Sequence, residues 1–277
     1  MSAHVSIHSF SQCPASELKR IRYVLCDIDD TLTWQGKLPA EAYSSIEDLN
    51  KAGIQVIPIT GRPAGWCDHI SRMWPVAGVV GENGAFFFSC HHSDRRMIRR
   101  YFKDEEERKE DRIKLNQIQT DILKAIPGCR VAADQPYREA DLAIDFCEEI
   151  QPPLDSTEVQ RIVEIFEEQG AQAKVSSIHV NGWFGHYDKL AMTRRLFAEL
   201  FRRNLEEEKS ECLFVGDSPN DEPMFEFFPL SVGVANVMAF NDQLVHPPKW
   251  ITKSPGGAGF AETADRILEI VFSQENL

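Results

Sequence analysis

Residues 23–26 read Tyr-Val-Leu-Cys, an apolar run of buried-strand length that stops abruptly at Asp27-Ile28-Asp29-Asp30-Thr31. No other stretch restricts the chain as much. A strand that delivers several carboxylates at its C-terminal tip crowds like charges, which then need a cation, protons or good solvation. One solution is an acidic, solvated loop. The other is a divalent-metal site in which one carboxylate is also a nucleophile. The rest of the chain decides between them.

The surrounding pattern predicts a parallel sheet. Pro39 suits the first position of a helix, whose Ala42, Ile46 and Leu49 recur at helical spacing before Gly53. Residues 54–59 form a second β-rich run, followed by Thr60-Gly61-Arg62 and a helix opened by Pro63. Residues 76–80 form a third, followed by Glu82-Asn83-Gly84-Ala85. Such alternation predicts an α/β fold with right-handed crossovers, whose ligand lies beyond the C-terminal strand ends. The pattern resumes with a helix over 188–203 and a strand over 212–215 that ends in Gly216-Asp217-Ser218-Pro219-Asn220-Asp221. Strands at 230–234 and 250–252, a flexible glycine loop at 256–259 and a closing helix over 261–271 complete it.

Between these halves the rhythm differs. Strand candidates at 86–88 and 97–102 precede a charged helix start at 104–111, with Leu115, Ile118, Ile122 and Ile126 on its apolar face. Strands at 129–133 and 142–146 follow, then a helix marked by Val159, Ile162, Val163 and Phe166, then short strands at 171–175 and 178–180. This is a compact α+β unit inserted into the α/β core. The expected division is an N-terminal extension over 1–20, a core made of 21–87 and 184–277, and an inserted domain over 88–183.

A formal charge of −13 with no long Lys/Arg block argues against a nucleic-acid partner. An anionic substrate must then be captured by a local positive site or a metal. No apolar run reaches the length of a membrane span and the N-terminus lacks a signal-peptide layout, so the cytoplasm is the expected location. The seven cysteines show no CxxC pair or zinc-like spacing, which predicts reduced, buried thiols, with Cys26 a strand filler rather than a nucleophile. His91-His92 is too isolated for a metal site.

Three strand ends now converge: Asp27 with Asp29, Thr60-Gly61-Arg62, and Asp217 with Asn220 and Asp221. Lys189 opens the helix ahead of the last of these. In this order the motifs resemble the haloacid dehalogenase superfamily, most of all its Cof-type (subclass IIB) phosphatases with a larger α/β cap inserted after the second motif. DIDDT matches the first motif, TGR the second, Asp188-Lys189 the third and GDSPND the fourth; ENGA and VAN…GGAGFAE are also typical of this branch. The resemblance covers nearly the whole chain from Ile21. It implies a Rossmann-like core, a C2-type cap and Mg²⁺-dependent phosphatase chemistry.

Carried over residue by residue, it makes Asp27 the nucleophile that forms an aspartyl-phosphate. Asp27, Asp217 and the Asp29 carbonyl would hold Mg²⁺, with Asn220 and Asp221 orienting ligands or water. Asp29 would protonate the leaving alcohol and later deprotonate the attacking water. Thr60, the Gly61 amide and Lys189 would stabilise the phosphoryl oxygens. Arg62 is divided between holding the loop and holding phosphate, and Asp30 reads as a turn residue. In the cap, strand alternation puts His179 and Asn181 on one side as candidate substrate contacts, with Trp183 as a stacking face and Asn83 as a further contact from the core. Arg130 and Arg138 are candidates for a second anionic group.

The expected activity is hydrolysis of a small phosphorylated metabolite, with a sugar phosphate favoured because sucrose-phosphate and mannosyl-3-phosphoglycerate phosphatases share this cap class. A phosphomutase is the nearest rival, since phosphomannomutase shares the cap class and the aspartate pair; product analysis separates the two. A non-catalytic phospholigand-binding protein on the same fold is a third reading. Retention of Asp27, Asp29, Thr60, Lys189 and Asp217 together speaks against it.

Overall fold

The computed structural model describes residues 7–91, 93–176 and 178–273; Met1–Ser6, His92, Ser177 and 274–277 lie outside the described residues. The chain runs through β1 (His8–Ser9) and α1 (Ala15–Leu18) into β2 (Tyr23–Cys26), whose four side chains are all buried. Then come α2 (Ala40–Lys51), β3 (Gln55–Pro58), α3 (Ala64–Met73), β4 (Val79–Gly81), β5 (Phe86–His91) and β6 (Arg96–Tyr101). The inserted unit contains α4 (Glu105–Ala125), β7 (Arg130–Val131), β8 (Leu142–Asp145), α5 (Ser156–Glu168), β9 (Gln172–Val175) and β10 (His179–Trp183). The return is through α6 (Lys189–Leu196), α7 (Leu205–Glu208), β11 (Cys212–Gly216), α8 (Glu222–Phe227), β12 (Ser231–Gly233), β13 (Trp250–Ile251) and α9 (Gly256–Phe272).

The main sheet has the order β1-β13-β12-β11-β2-β3, parallel at every pairing. β2 is therefore an interior strand, with Cys26 opposite Val215 on one side and Pro58 on the other. That register brings the loops after β2, β3 and β11 to one edge of the sheet. Successive side chains of a strand point to opposite faces. Val24 and Cys26 pack in the cluster that holds Ile46, Leu49 and Ile267, while Tyr23 and Leu25 pack with Met192, Leu196 and Phe197. Burial on both faces is why β2 reads as a continuous apolar run rather than an alternating one.

Local details differ from the sequence pattern in instructive ways. Pro39 and Pro63 stand just ahead of their helices in extended conformation instead of occupying the first helical position. Residues 256–259, expected as a flexible loop, form the first turn of α9. A Cβ at Gly257 would lie 2.6 Å from the Leu32 carbonyl, and one at Gly259 2.3 Å from the Ser254 carbonyl. These glycines serve close packing, seating the start of α9 against the loop that follows Asp27. A division at residue 88 would cut through β5. The β5–β6 hairpin is hydrogen-bonded to β4, β4 is bridged to the core through Ile59 and Val80, and Phe86 and Phe88 sit in the core cluster.

The inserted unit begins cleanly at α4, where Asp104 and Glu107 cap each other's backbone N–H groups. Its four strands pair antiparallel in the order β7-β8-β10-β9. Val180 and Ile144 face α4 and α5, packing with Leu115, Ile118, Ile162 and Phe166. His179, Asn181 and Trp183 therefore point the other way, toward the core.

One core carboxylate fastens this unit. Glu82, fully buried and left-handed at φ 42°, accepts backbone N–H groups from Glu139 (2.9 Å), Ala140 (2.6 Å) and Asp141 (3.1 Å) of the inserted unit and from Ala64 (2.9 Å) of α3. Beside it Arg138 donates to the Gly61 carbonyl at 2.9 Å while paired with Asp134 and Asp141. Replacing Glu82 with Gln turns an NH₂ group toward these donors and removes the negative charge they converge on. A loss of about 2–3 kcal/mol is expected for the lost charge-assisted hydrogen bonds. It is measured as a lowered denaturation midpoint, with proteolysis beginning within residues 134–141.

Candidate active site

The sheet places the acidic tips side by side. Asp27 continues the β2–β11 pairing, its N–H donating to the Val215 carbonyl at 3.0 Å, so its side chain emerges beside Asp217. Lys189 is the first residue of α6, whose N-cap Asp188 accepts from the Ala191 N–H at 2.7 Å. Its ammonium donates to Asp27 Oδ1 (2.7 Å), Asp221 Oδ1 (2.7 Å) and Asn220 Oδ1 (2.9 Å), which uses all three of its protons. The approach of α6 depends on Gly84. Its φ is +107°, and a Cβ there would lie 2.0 Å from the Asp188 carbonyl.

The charges do not balance. Carboxylate oxygens of Asp27, Asp217 and Asp221, all buried, lie within 4.8 Å of one another around a single ammonium. Burial pushes Asp27 up, to about 8, with Lys189 opposing and Asp221 and Asp29 adding to the rise. Burial, then Asp221 and Asp27, hold Asp217 well above the usual carboxylate range, against the Thr31 hydroxyl that donates to it at 3.1 Å. Burial disfavours charge on Lys189 too, but Asp221 and Asp27 outweigh it and keep its pKa above that of an ordinary lysine. The donor set is all oxygen and short of positive charge, which fits a hard divalent cation such as Mg²⁺. Asp221 spends Oδ1 on Lys189 and Oδ2 on the Asp217 N–H (3.1 Å), so it braces both.

Asp29 points away from this cluster. Its carboxylate is gripped by Arg62, with Nη2 at 2.8 Å from Oδ1 and Nε at 3.0 Å from each oxygen. The Nη1 group of Arg62 reaches Glu148 of the inserted unit at 3.4 Å, and Trp66 stacks on the guanidinium at 4.5 Å. In this state Arg62 thus binds carboxylates from both domains. Thr60 is fully buried and its hydroxyl accepts from the Arg62 N–H at 3.0 Å; Gly61 lines the cavity and packs against Asn83.

From the cap side, His179 Nε2 lies 2.8 Å from Glu148 Oε2, close but poorly aligned for a hydrogen bond, and Asn181 donates to Asp141 at 2.9 Å. His179, then Arg62, hold the Glu148 carboxyl down at about 2, with burial opposing. His179, Asn181 and Arg138 close over Asp27, Asp29 and Asp217, leaving a cavity of about 20 Å³. That is room for about one water. Trp183 is packed at 5.9 Å on Tyr187 instead of offering an open stacking face, and Arg130 is exposed on β7.

Several contributors escaped the sequence reading. Asn236 donates to Asp217 Oδ2 (3.3 Å) and the Asp30 carbonyl (3.0 Å) and accepts from the Gly256 N–H (3.0 Å), tying α9 to the acidic cluster. It lies in VAN, and Glu82 lies in ENGA; both segments stood out, but nothing in their local pattern tells which side chain turns inward. Glu148 had no sequence signal at all.

A family model described as haloacid dehalogenase-like hydrolase matches residues 24–121, from β2 through most of α4. The chain is 24% identical over 262 residues to a phosphoglycolate phosphatase of Methanoculleus marisnigri, covering 92% of this chain and 100% of that one. Among solved structures it is similar to the C-terminal domain of a C. albicans trehalose-6-phosphate phosphatase (TM-score 0.69, 15% identity, 96% of this chain and 99% of that one). It is likewise similar to a protein of Thermoplasma acidophilum (TM-score 0.67, 21% identity, 90% and 99%). A third neighbour is the Synechocystis sucrose-phosphatase solved with sucrose and phosphate (TM-score 0.61, 16% identity, 90% and 98%). DIDDT, TGR, DK and GDSPND are thus gathered at one edge of a parallel sheet under an inserted unit, residues 24–121 match a haloacid dehalogenase-like hydrolase model, and the fold is shared with these solved neighbours.

Proposed function

We propose that the protein is a Mg²⁺-dependent phosphomonoester hydrolase acting on a small phosphorylated metabolite, with a sugar phosphate as the first class to test. The carrying observation is the buried trio of Asp27, Asp217 and Asp221 around Lys189, next to a second aspartate, Asp29, two residues beyond the first. The names of the relatives agree on phosphate-ester hydrolysis, on a two-carbon acid in one case and on sugars in two others.

Asp27 attacks phosphorus and the bond to the leaving oxygen breaks, giving an aspartyl-phosphate and an alkoxide that takes a proton from Asp29. Water then attacks the same phosphorus, giving a proton back to Asp29, and inorganic phosphate leaves Asp27 restored. Lys189 supplies fixed positive charge throughout. Asp27, Asp217 and the Asp29 carbonyl would hold the metal, which would cancel the repulsion between carboxylate and phosphoryl group. Arg62 must release the Asp29 carboxylate before it can face the leaving oxygen, and the small cavity must open before a phosphomonoester can enter. Both steps involve the cap, because Arg62 also touches Glu148.

Phosphate release from a panel of sugar phosphates and phosphorylated acids with Mg²⁺ tests this reading. No release from any member, or an isomeric sugar phosphate as product, overturns it. Asp27→Asn should abolish turnover, and Asp29→Asn should lower kcat by roughly 10²–10⁴-fold, the usual contribution of general acid–base catalysis. Chelation of divalent metal should also stop turnover, and it should lower the thermal midpoint, since a ligand bound by the folded state alone stabilises it. Added Mg²⁺ should restore both.

A further inference from the structure

A second cleft, of about 330 Å³, opens beside the catalytic cavity and meets it at Asn220; Lys189 forms part of its wall. Leu190, Pro223 and Met224 give its core side an apolar surface, and the cap side is formed by β9 and the end of β10. In the β9–β10 pairing Lys174 stands opposite Asn181 and Gln172 opposite Trp183. Directly opposed residues of an antiparallel pair share a face. Asn181 lines the catalytic cavity, so Lys174 and Gln172 lie on the face of the cap that meets the core.

The charge pattern separates this cleft from the cavity. Arg62, Arg138 and Lys189 are each committed to carboxylates. Lys174 is exposed at the rim, and among the described residues neither it nor the neighbouring His186 has a carboxylate partner. The acidic residue in the lining, Asp188, is occupied as the α6 N-cap. Trp183 adds an indole N–H that is buried without an acceptor. In a chain of net charge −13, an unpaired cation beside the nucleophile's own lysine is a local site for negative charge.

We propose that this cleft receives the leaving group, and that Lys174 selects phosphomonoesters whose leaving group carries a second anionic group, a carboxylate or another phosphate. The inference rests on the phosphomonoesterase reading above and adds the chemistry of the part of the substrate that departs.

Competing substrates of similar size test it: phosphoglycolate, ethylene glycol bisphosphate and the uncharged-tail analogue ethyl phosphate. The readout is the ratio of kcat/KM for each anionic substrate to that for ethyl phosphate, which does not depend on how much of a preparation is folded. Lys174→Met should lower one of these ratios roughly tenfold, as loss of one charge-assisted contact implies, chiefly through KM. Lys174→Arg should keep most of it. The ratio falls for phosphoglycolate if the selected anion is a carboxylate and for the bisphosphate if it is a phosphate; unmoved ratios for both overturn the inference. If wild type releases phosphate from none of the three with Mg²⁺ or from the sugar-phosphate panel, the phosphomonoesterase reading falls and takes this one with it. Release with ratios that Lys174→Met leaves unchanged sinks only the role of Lys174.

Discussion

One ammonium among three buried carboxylates is the constraint on which this molecule depends. Lys189 touches Asp27 and Asp221 at 2.7 Å each, and Asp221 in turn holds the backbone of Asp217. Removing a single partner from such a group leaves an uncompensated charge in a low-dielectric site, so the arrangement tolerates little local change. The fold around it can be read as a support. β2 and β11 are neighbours so that Asp27 and Asp217 emerge together, Gly84 lets α6 start close enough to deliver Lys189, and Asn236 ties α9 to the far side of Asp217. An excess of buried negative charge costs stability unless it is used, and a bound cation is the use that suits its donor atoms.

Polar contacts tie the cap to the core at three places. Glu82 collects three cap N–H groups, Arg138 reaches the Gly61 carbonyl, and Arg62 joins Asp29 to Glu148. Two of these three involve the TGR segment itself. The residues proposed to position the phosphoryl group are therefore also ones that touch the cap. Cap position and the availability of Asp29 are linked through one guanidinium, which cannot satisfy Asp29 and Glu148 fully if either moves away.

Much of this was legible in the sequence for a simple reason: strands end where apolar runs end, and a parallel sheet brings those ends to one edge. Asp27, Thr60 and Asp217 could be placed together on that basis, and the four motifs in order carried the resemblance to haloacid dehalogenase-like hydrolases that the family model over residues 24–121 matches. The alternation of β10 likewise put His179 and Asn181 on one face. What local pattern could not give were contacts fixed by tertiary packing. The glycines at 256–259 read as a flexible loop because their purpose, close approach to Leu32 and Ser254, exists only in the folded chain. The β5–β6 hairpin read as the start of the cap because its partner β4 precedes it by sequence but its core packing is long-range. Glu82, Glu148 and Asn236 escaped because one buried polar side chain has no periodicity to betray it.

Arg62 shows how the two levels combine. As part of a TGR tripeptide it invites a phosphate-binding role, and its burial and charge suit one. Folded, each of its three nitrogens donates to a carboxylate, Asp29 on the core side and Glu148 on the cap side. On the proposed mechanism, a phosphoryl dianion arriving at Asp27 would bring negative charge close to this guanidinium and would compete for it with the two carboxylates already there. Either outcome would then help: release of Asp29 would free its carboxylate to face the leaving oxygen, and release of Glu148 would remove one tie between cap and core. In the cavity of about 20 Å³ protein carboxylates thus occupy a cation that, on the proposed mechanism, the phosphoryl group would claim.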